Sequence, residues 1–533
     1  MTIRLSDHFG YRRLLRFTLP SIAMMIFTSI YGVVDGLFVS NFVGKTPFAA
    51  VNLIMPFLMV PGALGFMFGS GGCALIARML GEGRREKANQ TFSLLIAVTL
   101  VCGVVLAALG IALLRPIAAL LGAQGELLEL CVLYGRVNLL ALPALMLQYE
   151  FQSFMIAAEK PNLGLMVTVA SGVTNMALDA LFIAGFGWGV VGAAAATAMS
   201  QAVGGIVPLV YFARKNDSLL HLTRPVFDVR ALVRTCANGS SELMSNVSMS
   251  LVSMLYNAQL MRYAGEDGVA AYGVLMYVNL IFLATFIGYA NGSAPVVSFH
   301  FGAGHGDELR SLRKKSLVII AAFSLGMLAF SELLARPLAA IFVSYDAALM
   351  ALTVRAFRIY ALSFMFAGTA IYGSSFFTAL NDGLTSALIS FVRTLLFQTA
   401  AVLLLPLLLG IDGVWWSIVA AEAAAALMTA AFMKGKQKQY GYGSQGRFSP
   451  REAKKGSGDE TPGGVWDRSL PRPVGETGRR SVGNRKERPL ARLCEFPGSA
   501  ALTSSLREAP TARTAAEPKA TIAVPFTRLS TEI

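Results

Sequence analysis

Four oxygen-bearing side chains set the chemistry of this sequence. Asn175 and Asp179 stand four residues apart in an otherwise apolar run, so on a helix they share a face. An Asp at the centre of a spanning helix costs about 2.5 to 3.5 kcal/mol on insertion scales, and such acids usually face a polar interior where they act. Asp35 lies in another apolar run, on a face with Thr28, Tyr31 and Gly32, and Thr197 lies in a third. At roughly 1.5 Å per residue, helices entering from the cytoplasm bring Asp35 and Asp179 to the outer half of a bilayer. Asn175 falls a turn deeper, and Thr197, returning from outside, about two turns in. Two carboxylates sharing a desolvated site repel each other, which makes the group a proton-accepting site. The same carboxylate, amide and hydroxyl oxygens suit a hard cation such as sodium. We therefore expect Asp35, Asn175, Asp179 and Thr197 to form a cation-coupling site for H+ or Na+.

The second half of the chain differs. Glu242, Asn246, Ser250, Ser253 and Asn257 are spaced four, four, three and four, which is one polar stripe on a helix and is expected to face a water-filled interior. Candidates to line a substrate cavity are Tyr31, Glu150, Glu242, Asn246, Ser253 and Asn257. Glu150 has a second reading, a pair with a cytoplasmic basic residue. Arg393 and Glu422 lie at comparable depths and are expected to form a structural ion pair. Pro20 removes a backbone hydrogen bond from the first helix and is read as its bend.

The elements that position these residues are membrane helices. Of 533 residues, 55% are hydrophobic and 14% charged, with a mean hydropathy of +0.59, whereas a soluble domain carries about 25% charged residues. The first apolar run, Leu14 to Val43, is too long for a signal-peptide core and is read as a span that stays. About twelve helices of spanning length follow one another from Leu14 to Lys434. One constant shift carries Gly44, Ala49 and Ala50 onto Gly265, Ala270 and Ala271. It also carries Gly71, Gly81 and Gly83 onto Gly292, Gly302 and Gly304, and Arg115 and Pro116 onto Arg336 and Pro337. The fold class is therefore all-α, a polytopic membrane protein of two pseudo-symmetric six-helix lobes. The lobes are placed at 1–213 and 231–434, joined by a cytoplasmic linker at 214–230. Under the same shift Asp35 falls opposite Tyr256, so the lobes carry their acids at non-equivalent places.

Basic residues cluster on one set of connections: Arg12, Arg13 and Arg16, then Arg84, Arg85 and Lys87, then Arg214 and Lys215, then Arg313, Lys314 and Lys315. By the positive-inside rule both termini are cytoplasmic. From 435 to 533 the chain turns rich in Gly, Pro, Ser, Arg and Thr, and is read as a disordered polybasic tail. That tail holds more than half of the +14 net charge, so the basic balance speaks for topology and against a nucleic-acid partner. Five scattered cysteines and four histidines show no paired spacing, which leaves no disulfide framework, no metal centre beyond a possible Na+ and no cofactor. A membrane-embedded enzyme needs a nucleophile, a His pair or a metal cluster at depth, and the sequence shows none.

Pro20 and Asp35 in the first span, Asn175-x-x-x-Asp179, Gly192-Ala193-Ala194-Ala195-Ala196-Thr197, Ser240-Ser241-Glu242, and Pro295 with Phe301-Gly302-Ala303 together resemble the MATE family of multidrug and toxin extrusion transporters, of the bacterial DinF or MepA-like type. The resemblance covers about Leu14 to Lys434. It departs at Ile156-Ala157-Ala158-Glu159, where many relatives have an Arg and a Gly, and at Asn291, where a Gln is common. It implies a monomer in the bacterial cytoplasmic membrane that exports cationic or amphipathic compounds in exchange for H+ or Na+ by alternating access. Asp35, Asn175, Asp179 and Thr197 would then be the coupling site. The alternatives within the same superfamily are a lipid-linked glycan flippase and a narrow-specificity metabolite exporter.

Overall fold

The computed structural model describes residues 3–343 and 346–442, and within these every regular element is helical. In chain order they are α1 (Tyr11–Phe38), α2 (Lys45–Gly81), α3 (Arg85–Leu120), α4 (Gly125–Leu140), α5 (Leu142–Ala157), α6 (Pro161–Asp179), α7 (Gly189–Ala213) and α8 (Val229–Gly302). Then come α9 (Gly306–Val343), α10 (Ala347–Ala361), α11 (Phe364–Ala379), α12 (Gly383–Phe391), α13 (Gln398–Leu409) and α14 (Ile411–Gly435). Among the described residues nine helices are long and apolar enough to cross a membrane. The pairs α4–α5 and α10–α11, bent by 53° and 46°, each make one more, which gives 11. At 74 residues α8 is far longer than the ~20 residues one crossing needs. Gly265, at φ 60° and ψ −147°, breaks it in two, and only a residue without a Cβ takes that backbone cheaply. The chain is thus a multi-pass membrane protein with about twelve spans. Leucines such as Leu120, Leu333, Leu384 and Leu408 stand on its outer faces where acyl chains belong.

α1 runs as one helix through Pro20, and a π-helical stretch, Val39–Val43, follows one turn beyond Asp35. A second π stretch, Ala180–Gly185, directly follows Asp179, and a third, Val392–Phe397, contains Arg393. Such π segments recur at functional sites.

The end of the bundle where α1 begins is closed by backbone. A Cβ placed on Gly81 would collide with the carbonyl oxygen of Phe299, and one on Gly302 with that of Arg78. Higher on α2, Gly71 meets Thr235 and Gly239 meets Met67 in the same way. The helices of the two halves touch there main chain to main chain, as small residues allow in membranes.

A strap of chain lies across this base. Leu5 N–H donates to Glu159 Oε1 at 2.6 Å, and Phe9 N–H donates to Glu308 Oε1 at 3.0 Å, while both Leu5 and Phe9 are fully buried. Glu159 sits at φ 60°, an unusual backbone for a residue with a side chain, at the turn between α5 and α6. Burial pushes its carboxyl above the usual range, against the opposing pull of the Leu5 N–H and Arg4. The sequence places the tail boundary at 435, but residues 436–442 fold back onto the base. Tyr442 is fully buried, and Lys436 Nζ lies 2.7 Å from Asp382 Oδ2. The rest of the expected tail, from 443, lies outside the described residues.

Asp382 caps α12 through the Thr385 N–H and hydroxyl. Burial raises its carboxyl, but Lys436, Thr385 and Tyr440 outweigh that and hold it below the usual carboxylate range. A depressed acid stabilises the fold above its unfolded value, near ~3.9, and that contribution is lost as pH falls through the folded value. The thermal midpoint of purified wild-type protein should therefore exceed that of Asp382→Asn at pH 7, and the gap should close below pH ~4. A gap that is independent of pH would remove the ion pair from the account. Gly81→Val should force the base apart at a cost of about 1 to 3 kcal/mol, read as a thermal midpoint lowered by several degrees.

Candidate functional site

α6 packs against α1 on one side and α7 on the other, so three helices of the first half can present side chains to one point. Gly172 sets how closely α1 approaches, because a Cβ there would come within 2.8 Å of the Tyr31 ring. One turn above Gly172 is Asn175, and one turn further is Asp179. The Asp35 carboxylate of α1 lies within interaction range of both the Asn175 amide and the Asp179 carboxylate. Asp35, Asn175 and Thr197 line a cavity of about 370 Å³ together with Tyr31, Asn138 and Gln201. Asp179 is fully buried and does not line this cavity.

What marks this cluster is unmet hydrogen bonding. Asp35 Oδ1, Asn175 Oδ1, both Asp179 oxygens, Thr197 Oγ1 and Gln201 Oε1 are all buried without a hydrogen-bond partner. A buried polar atom left unpaired costs about 1 to 3 kcal/mol, and more when charged. Gathered oxygens with unmet acceptor capacity can receive a proton or a small hard cation. Among the described residues no three His, Cys, Asp or Glu side chains are grouped as for a metal ion. Below the acids, the frame is tied down. Gln148 Nε2 donates to Ser171 Oγ at 3.4 Å, Ser171 Oγ donates to the Ser200 carbonyl at 2.7 Å, and Ser200 Oγ donates to the Thr197 carbonyl at 2.9 Å. Tyr31 lies near both Gln148 and Asp35, so α1 joins the same network.

The second half encloses its own cavity, of about 250 Å³, with Glu242, Ser253, Tyr256, Tyr272, Arg393 and Glu422 among its walls. Arg393 Nε donates to both Glu422 oxygens, at 3.1 and 2.9 Å, and Gln398 Nε2 donates to Glu422 Oε1 at 3.3 Å. Tyr256 Oη and Ser417 Oγ are 2.9 Å apart.

Three cavity candidates from the sequence need correcting. Glu150 lines neither cavity and pairs with no basic residue. It is fully buried where Gly69 lets α2 run against α5, with only Thr99 close to its carboxyl. Asn246 and Asn257 are exposed and line neither cavity. The stripe does not need a wet wall, because Asn246 Nδ2 donates to the Glu242 carbonyl and Ser250 Oγ to the Asn246 carbonyl of its own helix. Ser245, Met249 and Tyr256 take the cavity-facing positions instead. The sequence reading also passed over Gln201, although it lies four residues after Thr197 and so on the same face of α7.

If Asp35 and Asp179 share one site, their effects cannot add. Asp35→Asn and Asp179→Asn, singly and together, should give thermal midpoints whose free-energy changes depart from additivity by roughly 0.5 to 3 kcal/mol. Additive changes would mean the carboxylates act alone.

The family model for MatE matches residues 20–181 and 243–402. A relative named multidrug export protein MepA, from Staphylococcus saprophyticus subsp. saprophyticus, is 26% identical over 427 residues, which is 78% of this chain and 92% of the relative. Among solved structures, one described as MATE in complex with MaL6 aligns at 24% identity with a TM-score of 0.78, over 81% of this chain and 98% of its own. Another, described as the outward-facing conformation of a multidrug resistance MATE family transporter of the MOP superfamily, aligns at 24% identity with a TM-score of 0.77, over 81% and 97%. These structures share the fold.

Proposed function

Because this chain belongs to the MatE family of membrane transporters, we propose that it is a secondary active exporter of cationic and amphipathic compounds, driven by inward movement of H+ or Na+ through alternating access. The observation that carries the coupling is the set of unpartnered oxygens on Asp35, Asn175, Asp179 and Thr197, drawn from three helices. The export reading draws on the relatives named as multidrug export proteins.

An ion entering from outside reaches Asp35 first, since Asp35 lines the cavity and Asp179 does not. Bound there, it removes the repulsion between the carboxylates and satisfies oxygens that otherwise have no donor. α1 and α6 can then close on each other, and the π stretches one turn beyond Asp35 and directly after Asp179 are where each helix can change register. Tightening the first half shifts the balance between states with the base closed and states with it open. Loss of the ion to the cytoplasm restores the repulsion and resets the cycle.

In this reading the protein acts as a monomer in the bacterial cytoplasmic membrane. Both termini, and the glycine-closed base, face the cytoplasm. The six-helix lobes at 1–213 and 231–434 move against each other about that base, with 214–230 as the connecting linker. Tyr31 from the first lobe and Glu242 and Ser253 from the second line the cavities open to substrate.

Reconstituted in proteoliposomes with an imposed H+ or Na+ gradient, wild-type protein should extrude a lipophilic cation, while Asp35→Asn and Asp179→Asn should each lose at least tenfold in gradient-driven rate. Full export by either variant would refute the coupling role.

A further inference from the structure

Glu150 takes no part in the coupling cluster, yet it carries the same mark. It is fully buried, and neither Oε1 nor Oε2 has a hydrogen-bond partner. The hydroxyl of Thr99 on α3 is the one polar group close to the carboxyl, and Thr99 Oγ1 is itself buried without a partner. A bare carboxylate in such a place has none of the pairing that a buried charge requires. One proton joins the two groups, because it makes the carboxyl a donor and Thr99 Oγ1 is the acceptor beside it.

The carboxyl is enclosed by α2, α3 and its own helix, and no charged group stands beside it. α2 carries Lys45 and Arg78 near its ends, and the thiol of its Cys73 donates to the Ser153 carbonyl. α3 carries Arg85, Glu86, Lys87 and Arg115 near its ends, with the Cys102 thiol three residues past Thr99. α5 itself adds only Tyr149, whose ring stacks on Phe66 at 3.9 Å. Of the acids on helices further off, Asp179 belongs to the coupling cluster and Glu242 to the second-half cavity. The space around Glu150 is fixed by backbone. A Cβ on Gly65 would come within 2.6 Å of the Met146 carbonyl oxygen, and one on Gly69 within 2.9 Å of Glu150 Cα. Two residues further along α2, Gly71 lies against the Thr235 carbonyl of α8, as the Met67 carbonyl lies against Gly239. Residues 67–71 are thus held main chain to main chain on both sides, by the helix that bears Glu150 and by the second half. Solvating a charge on Glu150 requires α2 to shift, and α2 cannot shift without loosening the contact between the halves.

We propose that Glu150 is a second proton-binding site of the first half, separate from the Asp35–Asp179 pair, which holds its proton against Thr99 Oγ1 while α2 is clamped and gives it to entering water when α2 moves. The O–H bond of the carboxyl breaks, a hydronium O–H bond forms, and reclosure reverses the step. Ionisation of Glu150 and loosening of the contact between the halves are then one event, so proton concentration sets how firmly the halves are closed. With a single hydroxyl beside the carboxyl, the site lacks the several oxygens that a metal cation needs and takes a proton alone. It stands whichever ion drives export.

The test is infrared spectroscopy of purified full-length protein in lipid, read above the amide I band, where protonated carboxyls absorb. The spectrum of wild type minus Glu150→Gln at pH 6 should show a carboxylic-acid band, and the same band should appear on an Asp35→Asn/Asp179→Asn background. Thr99→Val should shift that band without abolishing it, because the acid stays and its acceptor goes. Should Glu150→Gln not fold, wild type minus Thr99→Val still reads the shift. The second arm is hydrogen–deuterium exchange of the α2 amides from 65 to 72, corrected for the intrinsic effect of pH. From pH 6 to pH 9 that exchange should quicken at least tenfold more in wild type than in Glu150→Gln. No acid band in the difference spectrum, a band that disappears with Asp35 and Asp179, a band unmoved by Thr99→Val, or equal quickening in both proteins would each overturn the site. Gradient-driven export that fails in Asp35→Asn and Asp179→Asn would in those cases leave the coupling reading standing.

Discussion

Asp35 and Asp179 approach each other inside an apolar bundle, among the described residues neither is paired with a basic side chain, and the first half is arranged around that like-charge pair. Coulomb energy between close like charges grows several-fold on leaving water, so the pair is stable only with its charge reduced or compensated. Three helices converge to surround it, Gly172 lets two of them approach, and a ladder from Gln148 through Ser171 to Ser200 prevents the surroundings from collapsing onto the acids. The result is a rigid frame around an incomplete set of bonds. A site of this kind gains affinity because the cost of gathering the ligands has been met during folding.

The second half answers the same problem differently. The repeat puts Tyr256 where the first half has Asp35, and Tyr256 is hydrogen-bonded to Ser417, so no formal charge arises at that point. The charge that does occur, on Glu422, is neutralised by Arg393 within the protein. The first half thus keeps its paired acids without an internal counter-charge, while Glu422 in the second half has one.

Much of this was legible in the sequence. The spacing of Asn175 and Asp179, the depth count that brought Asp35 to their level, and the glycine register between the halves all follow from helical periodicity, which a membrane span obeys strictly because its backbone has no other way to satisfy its hydrogen bonds. Side-chain direction was less legible. Glu150 looks like a cavity residue because acids in membranes usually are, yet it is fully buried where Gly69 lets the α5 backbone run close to α2. Asn246 and Asn257 belong to a true polar stripe, but Asn and Ser side chains can bond to the preceding turn, so polarity did not report which face is wet. The pairing of Gln398 with Glu422 depends on a π stretch that no residue pattern announces. The π stretches next to the acids, like the one at Arg393, are announced by no residue pattern either.

The contact at the base has a symmetry of its own. The shift that carries Gly81 onto Gly302 also carries Arg78 onto Phe299, and Gly81 lies against the carbonyl of Phe299 as Gly302 lies against that of Arg78. Residue and counterpart exchange the same contact, which is the signature of an isologous interface between two identical subunits. The two halves of this chain therefore meet as a homodimer would, with the twofold axis passing between α2 and the end of α8. A duplicated and fused ancestor would have inherited that joint ready-made. The polar centres of the two halves differ, while the joint is glycine on both sides.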